Sequence, residues 1–174
     1  MLGKLTKYLV ATAVAVVFFA CEQARADDPA FFSFAAGAFD WNRKKDQGAE
    51  FRFEYRHDQK YFFFKPFLAG AGTTTGSGFI GAGILLDVYL GNRLVVTPSV
   101  APHYYWGGNK KLDLGHEMEI RSQLEVAYRF DDRSRLGLAV SHYSNASVGD
   151  TNPGTESAMV YYSIPTTTIT NLFK

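Results

Sequence analysis

The chain has 174 residues, which is enough for one domain of ordinary size. Its formal net charge of +1 gives no electrostatic basis for binding a nucleic acid. The 16 glycines, 15 phenylalanines and 10 tyrosines suit an aromatic-rich β-structure, and the single cysteine, Cys21, excludes a disulfide within the chain.

Residues 1–26 have the pattern of a secretory signal peptide. A lysine-containing start precedes an apolar run over residues 8–20, which is too short to cross a bilayer as a helix. Residues 24–26, Ala-Arg-Ala, form a small-x-small cleavage site, so the mature domain is predicted to span residues 27–174. Cys21 leaves a second interpretation open, a lipidated N-terminus, although the residues before it are bulky for that signal. Both interpretations export the protein from the cytoplasm.

Period-two alternation recurs along the predicted mature domain, and no segment shows convincing helical periodicity. The clearest alternation lies in residues 117–130, whose even positions are almost all apolar and whose odd positions are mostly charged. Since successive side chains of a strand point to opposite faces, such a segment predicts one apolar and one charged face. The eight predicted strands span about residues 31–41, 48–57, 61–73, 78–90, 93–106, 115–130, 134–145 and 155–165.

Two architectures fit these two-faced strands. In a soluble barrel or sandwich the apolar face would form the core, whereas in a transmembrane barrel it would meet lipid and the charges would pair inside a narrow lumen. The long strands and the interleaved opposite charges favour the transmembrane barrel, and so do longer outer loops that alternate with tight inner turns. The predicted loops lie at residues 42–47, 74–77, 107–114 and 146–154, and the turns at residues 58–60, 91–92 and 131–133.

These features predict an all-β fold, an eight-stranded antiparallel transmembrane β-barrel of the outer membrane. The C-terminus departs from the usual pattern, in which such barrels end in an aromatic residue. Here Phe173 is followed by Lys174, and residues 166–171 form a polar extension.

Three chemically capable side chains share the apolar face where the seventh predicted strand meets the eighth. His142 and Ser144 are two residues apart on a strand and therefore point the same way. Glu156 is in phase with the apolar side chains of the eighth strand. An ionisable His and Glu at a lipid-facing surface cost free energy unless they pair. The same pairing would let Glu156 hold the imidazole and His142 take the hydroxyl proton of Ser144, which makes the serine a nucleophile. The structural alternative is an interfacial histidine, a strand-end hydroxyl and a charge at a loop exit.

The sequence around these residues has a specific resemblance. Residues 141–146 (SHYSNA) and 152–156 (NPGTE) closely resemble the signature of the PagL-type lipid A 3-O-deacylases. The signal peptide and the eight-strand plan are similar too, so the resemblance extends over essentially the mature chain, with the sharp motif confined to residues 141–156.

The resemblance implies a role for each motif residue. His142 matches the general base, Ser144 the nucleophile and Glu156 the orienting carboxylate of a catalytic triad. Asn152 matches an oxyanion-stabilising asparagine, and Asn145 matches the asparagine that directly follows the nucleophile. The implied activity is hydrolysis of the ester-linked 3-hydroxyacyl chain at position 3 of lipid A, in contact with outer-membrane lipid and without a metal or cofactor.

Other functions remain open from the sequence alone. The chain could be a non-enzymatic eight-stranded barrel with a structural or surface-interaction role, a soluble periplasmic barrel that binds a small apolar ligand, or an acyltransferase with the same nucleophile. An apolar wall in lipid is equally compatible with a monomer and with a homodimer. None of these alternatives involves a nucleic acid.

The basic residues of the predicted outer loops and the three other histidines can each be interpreted with or without a function. Basic residues in the predicted outer loops, Arg43-Lys44-Lys45 and Lys110-Lys111, could contact the phosphates of lipid A, or they are solvated loop charges. His57, His103 and His116 are scattered without the spacing of metal ligands, so no metal site is expected. His103 is predicted to face the lumen.

Overall fold

The computed structural model of the protein describes residues 28–107 and 111–171. The predicted signal peptide, with Cys21, and the C-terminal Phe173-Lys174 pair lie outside the described residues, as does Lys110. The described part of the chain is built almost wholly of β-strands.

The strands follow one another in a continuous meander. They are β1 (Phe31–Phe39), β2 (Gly48–Arg56), β3 (Lys65–Thr73), β4 (Gly78–Leu85), β5 (Val88–Leu90), β6 (Leu94–Trp106), β7 (Met118–Arg129), β8 (Arg135–Ser144) and β9 (Thr155–Pro165), and a short helix α1 (Thr166–Asn171) follows them. Within the described ranges, no helix is long and apolar enough to cross a membrane.

Each strand pairs with its neighbours in an antiparallel arrangement that closes on itself. The first strand, β1, pairs with both β2 and β9, for example Phe34 with Phe53 and Tyr162. The second closing contact joins β4 to β6, and β5 continues along β6. Since β4 and β5 both pair with β6 and are two segments of one interrupted strand, the nine segments form eight strands. The predicted eight-stranded antiparallel barrel is confirmed.

The structure differs from the predicted elements in three places. The third strand begins at Lys65 and not at residue 61, because Tyr61 and Phe64 close a tight turn around Phe62, whose φ is 59°. The predicted fourth strand is interrupted at residues 86–87, where its partner Pro98 has no N–H to donate to the ladder.

The third correction is the helix α1, where no helical periodicity was expected. Its six residues, Thr-Thr-Thr-Ile-Thr-Asn, are too few to show a helical period, and their β-branched side chains have low helix propensity.

The charged face of the strands lies inside the barrel. Arg52 donates to Glu50, Gln123, Tyr143 and Tyr161, and all of these side chains are buried. Further ion pairs join Arg56 to Glu54 and Glu125, and Arg121 to Glu54. These opposite charges therefore pair with one another in a lumen that side chains fill, as is typical of small membrane barrels.

The apolar face of the strands lies on the outside. Large side chains such as Phe34, Phe51, Leu138 and Val140 are about half exposed or more. A continuous belt of this kind would be a liability in water but is the expected contact surface in a bilayer.

An aromatic cluster closes the outer part of the lumen. Its members are Phe39, Phe79, Tyr105, Leu112, Leu114 and Tyr143. The rings of Phe79 and Tyr143 are stacked with their centroids 4.3 Å apart. This packing fills the outer end of the lumen, and Tyr143 anchors the end of β8 in it.

Candidate active site

The outer end of β8 alternates between the lumen and the membrane side. Tyr143 points inward and is fully buried, and its hydroxyl accepts a hydrogen bond of 2.9 Å from Arg52 Nη2. His142 and Ser144, on either side of it, point outward and are partly exposed. The buried tyrosine thus fixes the strand from inside at the point where two reactive side chains face out.

The register of β8 and β9 places Glu156 directly opposite His142. The distance from His142 Nδ1 to Glu156 Oε1 is 3.2 Å, with the side chains 44% and 20% exposed respectively. A carboxylate at this position favours the tautomer in which Nδ1–H donates, and it leaves Nε2 as an acceptor. This is the protonation pattern that a general-base histidine requires.

Ser144 lies on the same face as His142, about 6.6 Å further along the strand by ordinary strand geometry. Among the described residues, its hydroxyl forms no hydrogen bond. Ser122 of β7 is the residue directly opposite His142 on the other side, and it is also exposed. Ser122 was not among the predicted site residues, because only the strand register brings it beside the imidazole.

The backbone turns sharply as soon as β8 ends. The N–H of Val148 donates to the carbonyl of Asn145 at 3.0 Å, and Ala146 and Ser147 both have positive φ, at 52° and 64°. These features define a type I′ turn, which ordinarily carries Asn and Gly at its centre. Non-glycine residues in this conformation store backbone strain, and such strain clusters at functional sites.

The two candidate asparagines are joined to one another. Asn145 is buried, and its Nδ2 donates to the carbonyls of Leu114 (2.9 Å) and Thr151 (2.6 Å), so its side chain ties two outer loops together. The N–H of Asn145 donates to Asn152 Oδ1 at 3.1 Å. Because a backbone N–H can only donate, the exposed Asn152 side chain keeps its NH₂ group for another partner.

Gly154 is a further residue that sequence reasoning did not single out. Its φ is +64°, and a Cβ built there would lie 2.8 Å from the Tyr143 carbonyl oxygen and 2.9 Å from His142 Cε1. The absence of a side chain therefore lets the loop pass directly over the imidazole. The glycine in the NPGTE run was the available signal.

The loop between β1 and β2 completes the surroundings of Glu156. Arg43 Nε lies 3.7 Å from Glu156 Oε2, and Trp41 borders the same depression as His142 and Glu156. Of the basic residues in the predicted outer loops, Arg43 is thus brought to the candidate site. His103, by contrast, is buried in the lumen and its Nδ1 is 3.1 Å from the Ala101 carbonyl.

An apolar groove leads from this site down the membrane-facing wall. Leu124 and Val140 border both the depression at His142 and a second depression further along β7, β8 and β9. Ala158, one outward-facing position below Glu156, contributes a small side chain to the groove. In the part of the chain that the structure describes, no cluster of His, Cys, Asp and Glu side chains has the arrangement of a metal site.

Comparison with known proteins identifies the family of the chain. The sequence model of the PagL family, described as lipid A 3-O-deacylase, matches residues 68–165, and this stretch contains His142, Ser144 and Glu156. No curated protein matches the chain.

Two solved structures have a similar fold. The crystal structure of the outer membrane enzyme PagL has 17% identity and a TM-score of 0.61, and the match covers 78% of this chain and 99% of that one. A de novo designed transmembrane β-barrel has 10% identity and a TM-score of 0.53, with 80% and 98% of the two chains covered. At these identities the likeness concerns the fold alone. Since the family match spans more than half of the chain, the protein belongs to the PagL family of lipid A 3-O-deacylases, and it is an ester hydrolase of the outer membrane.

Proposed function

We propose that the protein removes the ester-linked 3-hydroxyacyl chain from position 3 of lipid A through a catalytic triad of Ser144, His142 and Glu156. The observation that carries this proposal is the His142–Glu156 pair on the membrane-facing side of the barrel, with Ser144 on the same face of the same strand. A structural ion pair would gain nothing from this position, since a histidine and a carboxylate at the lipid surface are costly to keep.

The reaction is acyl transfer to water. Ser144 Oγ attacks the ester carbonyl carbon while His142 Nε2 takes the hydroxyl proton. The tetrahedral intermediate collapses, the bond to the sugar oxygen breaks, and His142 returns the proton to that oxygen. A water molecule, deprotonated by His142, then attacks the acyl-serine and releases the free fatty acid and Ser144.

Glu156 supports the positive charge that forms on the imidazole. Its Oε1 accepts from Nδ1, which holds the ring in the tautomer that can take the serine proton. Gly154 leaves room for the ring, because any side chain at this position would collide with it.

The side-chain NH₂ group of Asn152 is the proposed donor to the oxyanion. The hydrogen bond from the Asn145 N–H to Asn152 Oδ1 orients this amide, and the buried Asn145 side chain holds the loops in place. One donor of this kind is typically worth about 10²- to 10³-fold in rate.

The membrane-facing position suits a lipid substrate. The groove through Leu124, Val140 and Ala158 continues from His142 along the barrel wall, so an acyl chain can lie in it without leaving the membrane. Binding in this way avoids the cost of transferring an acyl chain from lipid into water.

The first test is mass spectrometry of lipid A from cells that express the intact protein, the Ser144→Ala variant or the Ser122→Ala variant at equal levels. Ser122 is the matched control, since it is a membrane-facing serine directly beside the same histidine. We expect loss of one hydroxyacyl chain with the intact protein and with Ser122→Ala, and unchanged lipid A with Ser144→Ala.

Two other outcomes would redirect the assignment. Unchanged lipid A in all three strains, with the barrel folded in the outer membrane, would favour the non-enzymatic barrel. Loss of activity in Ser122→Ala with activity retained in Ser144→Ala would move the nucleophile to β7. Recovery of the released chain as free fatty acid, and not on a second lipid, separates the hydrolase from an acyltransferase.

A further inference from the structure

The loop between β1 and β2 is fixed to the strand that carries Glu156. Asp40 Oδ2 accepts from the N–H groups of Lys45 (2.6 Å) and Asp46 (2.7 Å), and Oδ1 accepts from Thr155 Oγ1 (3.0 Å). The N–H of Asp40 donates to the carbonyl of Glu156 at 2.9 Å. The buried Asp40 carboxylate therefore shapes the loop and attaches it at the first residues of β9.

This attachment gives the two oxygens of Glu156 different neighbours. Oε1 is paired with His142 at 3.2 Å, whereas Oε2 is buried and forms no hydrogen bond within the described residues. The cation nearest to Oε2 is Arg43, whose Nε is 3.7 Å away and whose side chain is 37% exposed. A buried carboxylate oxygen is costly to leave without a partner, so the guanidinium stabilises the carboxylate in its observed orientation.

We propose that Arg43 is a positioning residue that acts through Glu156, an inference that rests on the triad proposed above. By attracting Oε2, it turns Oε1 towards His142 Nδ1. Among the described residues, the cationic or imidazole side chains that contact the Glu156 carboxylate are His142 from β8 and Arg43 from the loop. A planar guanidinium suits this role, since its donors lie in a fixed fork that matches a carboxylate.

A lipid A phosphate is the alternative partner for an exposed loop cation such as Arg43. The observed partner of Arg43 is the carboxylate that holds the candidate general base, and kinetics separates the two roles. If Arg43 acts by positioning, its loss should lower the rate of the chemical step and leave substrate binding largely intact.

The experiment compares four proteins refolded in detergent, with purified lipid A in mixed micelles as substrate: intact protein, Arg43→Gln, Arg43→Lys and Lys45→Ala. Lys45 is the matched control, because it carries the same charge on the same loop and only its backbone N–H is used by Asp40. We expect Arg43→Gln to lower kcat roughly twofold to fivefold with little change in KM. Arg43→Lys should recover part of the loss, whereas Lys45→Ala should not lower kcat.

A rise in KM with unchanged kcat in Arg43→Gln would show that Arg43 binds substrate. Unchanged kinetics in Arg43→Gln would show that Arg43 is an ordinary surface charge. Either result overturns the inference. Ser144→Ala, measured in parallel, keeps this failure separate from that of the triad. If Ser144→Ala retains full activity, the proposed function fails, whatever Arg43 does.

Discussion

The lumen and the outer rim of this barrel both contain charged side chains, but they use them differently. In the lumen, Arg52 is fully buried and donates to several acceptors, among them Glu50 and Tyr161. At the rim, Glu156 has one contact with His142 and one with Arg43, and all three side chains remain partly exposed. Arg52 therefore has several buried partners, whereas the carboxylate of Glu156 has two partly exposed ones.

The difference shows which charged cluster supports the fold and which is suited to chemistry. A buried charge with several partners is held in one state, and its loss leaves other charges unpaired. A histidine with a single carboxylate partner on an accessible face can gain and lose a proton. A count of ionisable residues would have placed the active site in the lumen. The exposure of the side chains and the face they point to place the candidate site at the rim.

The largest effect on activity is expected from Glu156→Gln, which removes the negative charge at the rim and keeps a side chain of nearly the same shape. Glutamine cannot stabilise the imidazolium and favours the wrong tautomer, so we expect deacylation to fall by about 10³- to 10⁴-fold. Initial rates on lipid A micelles measure this. Heat-modified mobility on a gel, which reports a folded barrel, should be unchanged. Retention of more than a tenth of the activity would exclude Glu156 from the triad.

The lumen should respond in the opposite way. Arg52→Met leaves the carboxylate of Glu50 buried without its main partner, which should lower the free energy of unfolding by about 3–5 kcal/mol. Urea titration of the refolded barrel in lipid vesicles measures the loss. The double variant Arg52→Met with Glu50→Gln should recover part of it, since no uncompensated charge remains. A single variant as stable as the intact protein would show that the lumenal network contributes little to stability.

The smallest effect concerns the groove that starts at the rim. Ala158→Phe places a large side chain one outward position below Glu156, which should raise KM by about threefold to tenfold because the acyl chain loses apolar contact. The fold should be unaffected, since the added ring faces lipid. Ala82→Phe is the control, a membrane-facing alanine on β4, away from the groove. Equal kinetics for the two variants would mean that the acyl chain does not use this groove.

Much of the barrel could be predicted from the sequence. Residues 117–130 and 48–57 alternate so regularly that their charged faces could be assigned to one side and their apolar faces to the other. Two strand ends could not be predicted. The start of β3 depends on the turn at Tyr61–Phe64, in which Phe62 has a positive φ. The break between β4 and β5 depends on the missing N–H of Pro98 in the paired strand.

Part of the candidate site followed from the same alternation. His142 and Ser144 share a face because they are two residues apart on one strand, and the phase of β9 puts Glu156 on that face too. Alternation does not specify which residue of β9 lies opposite His142. The register of β8 and β9 in the structure shows that it is Glu156.

The sequence by itself determined the class of fold, the direction in which each strand residue points and the identity of three candidate catalytic side chains, because these depend on local period-two geometry. The tertiary structure decided the surroundings of that site: Ser122 across the register, Gly154 over the imidazole, and the Asp40 loop that brings Arg43 to Glu156. Asp40 and Thr155 are 115 positions apart, and they meet because β1 and β9 pair when the barrel closes. Such contacts follow from closure of the whole sheet, and no local pattern encodes them.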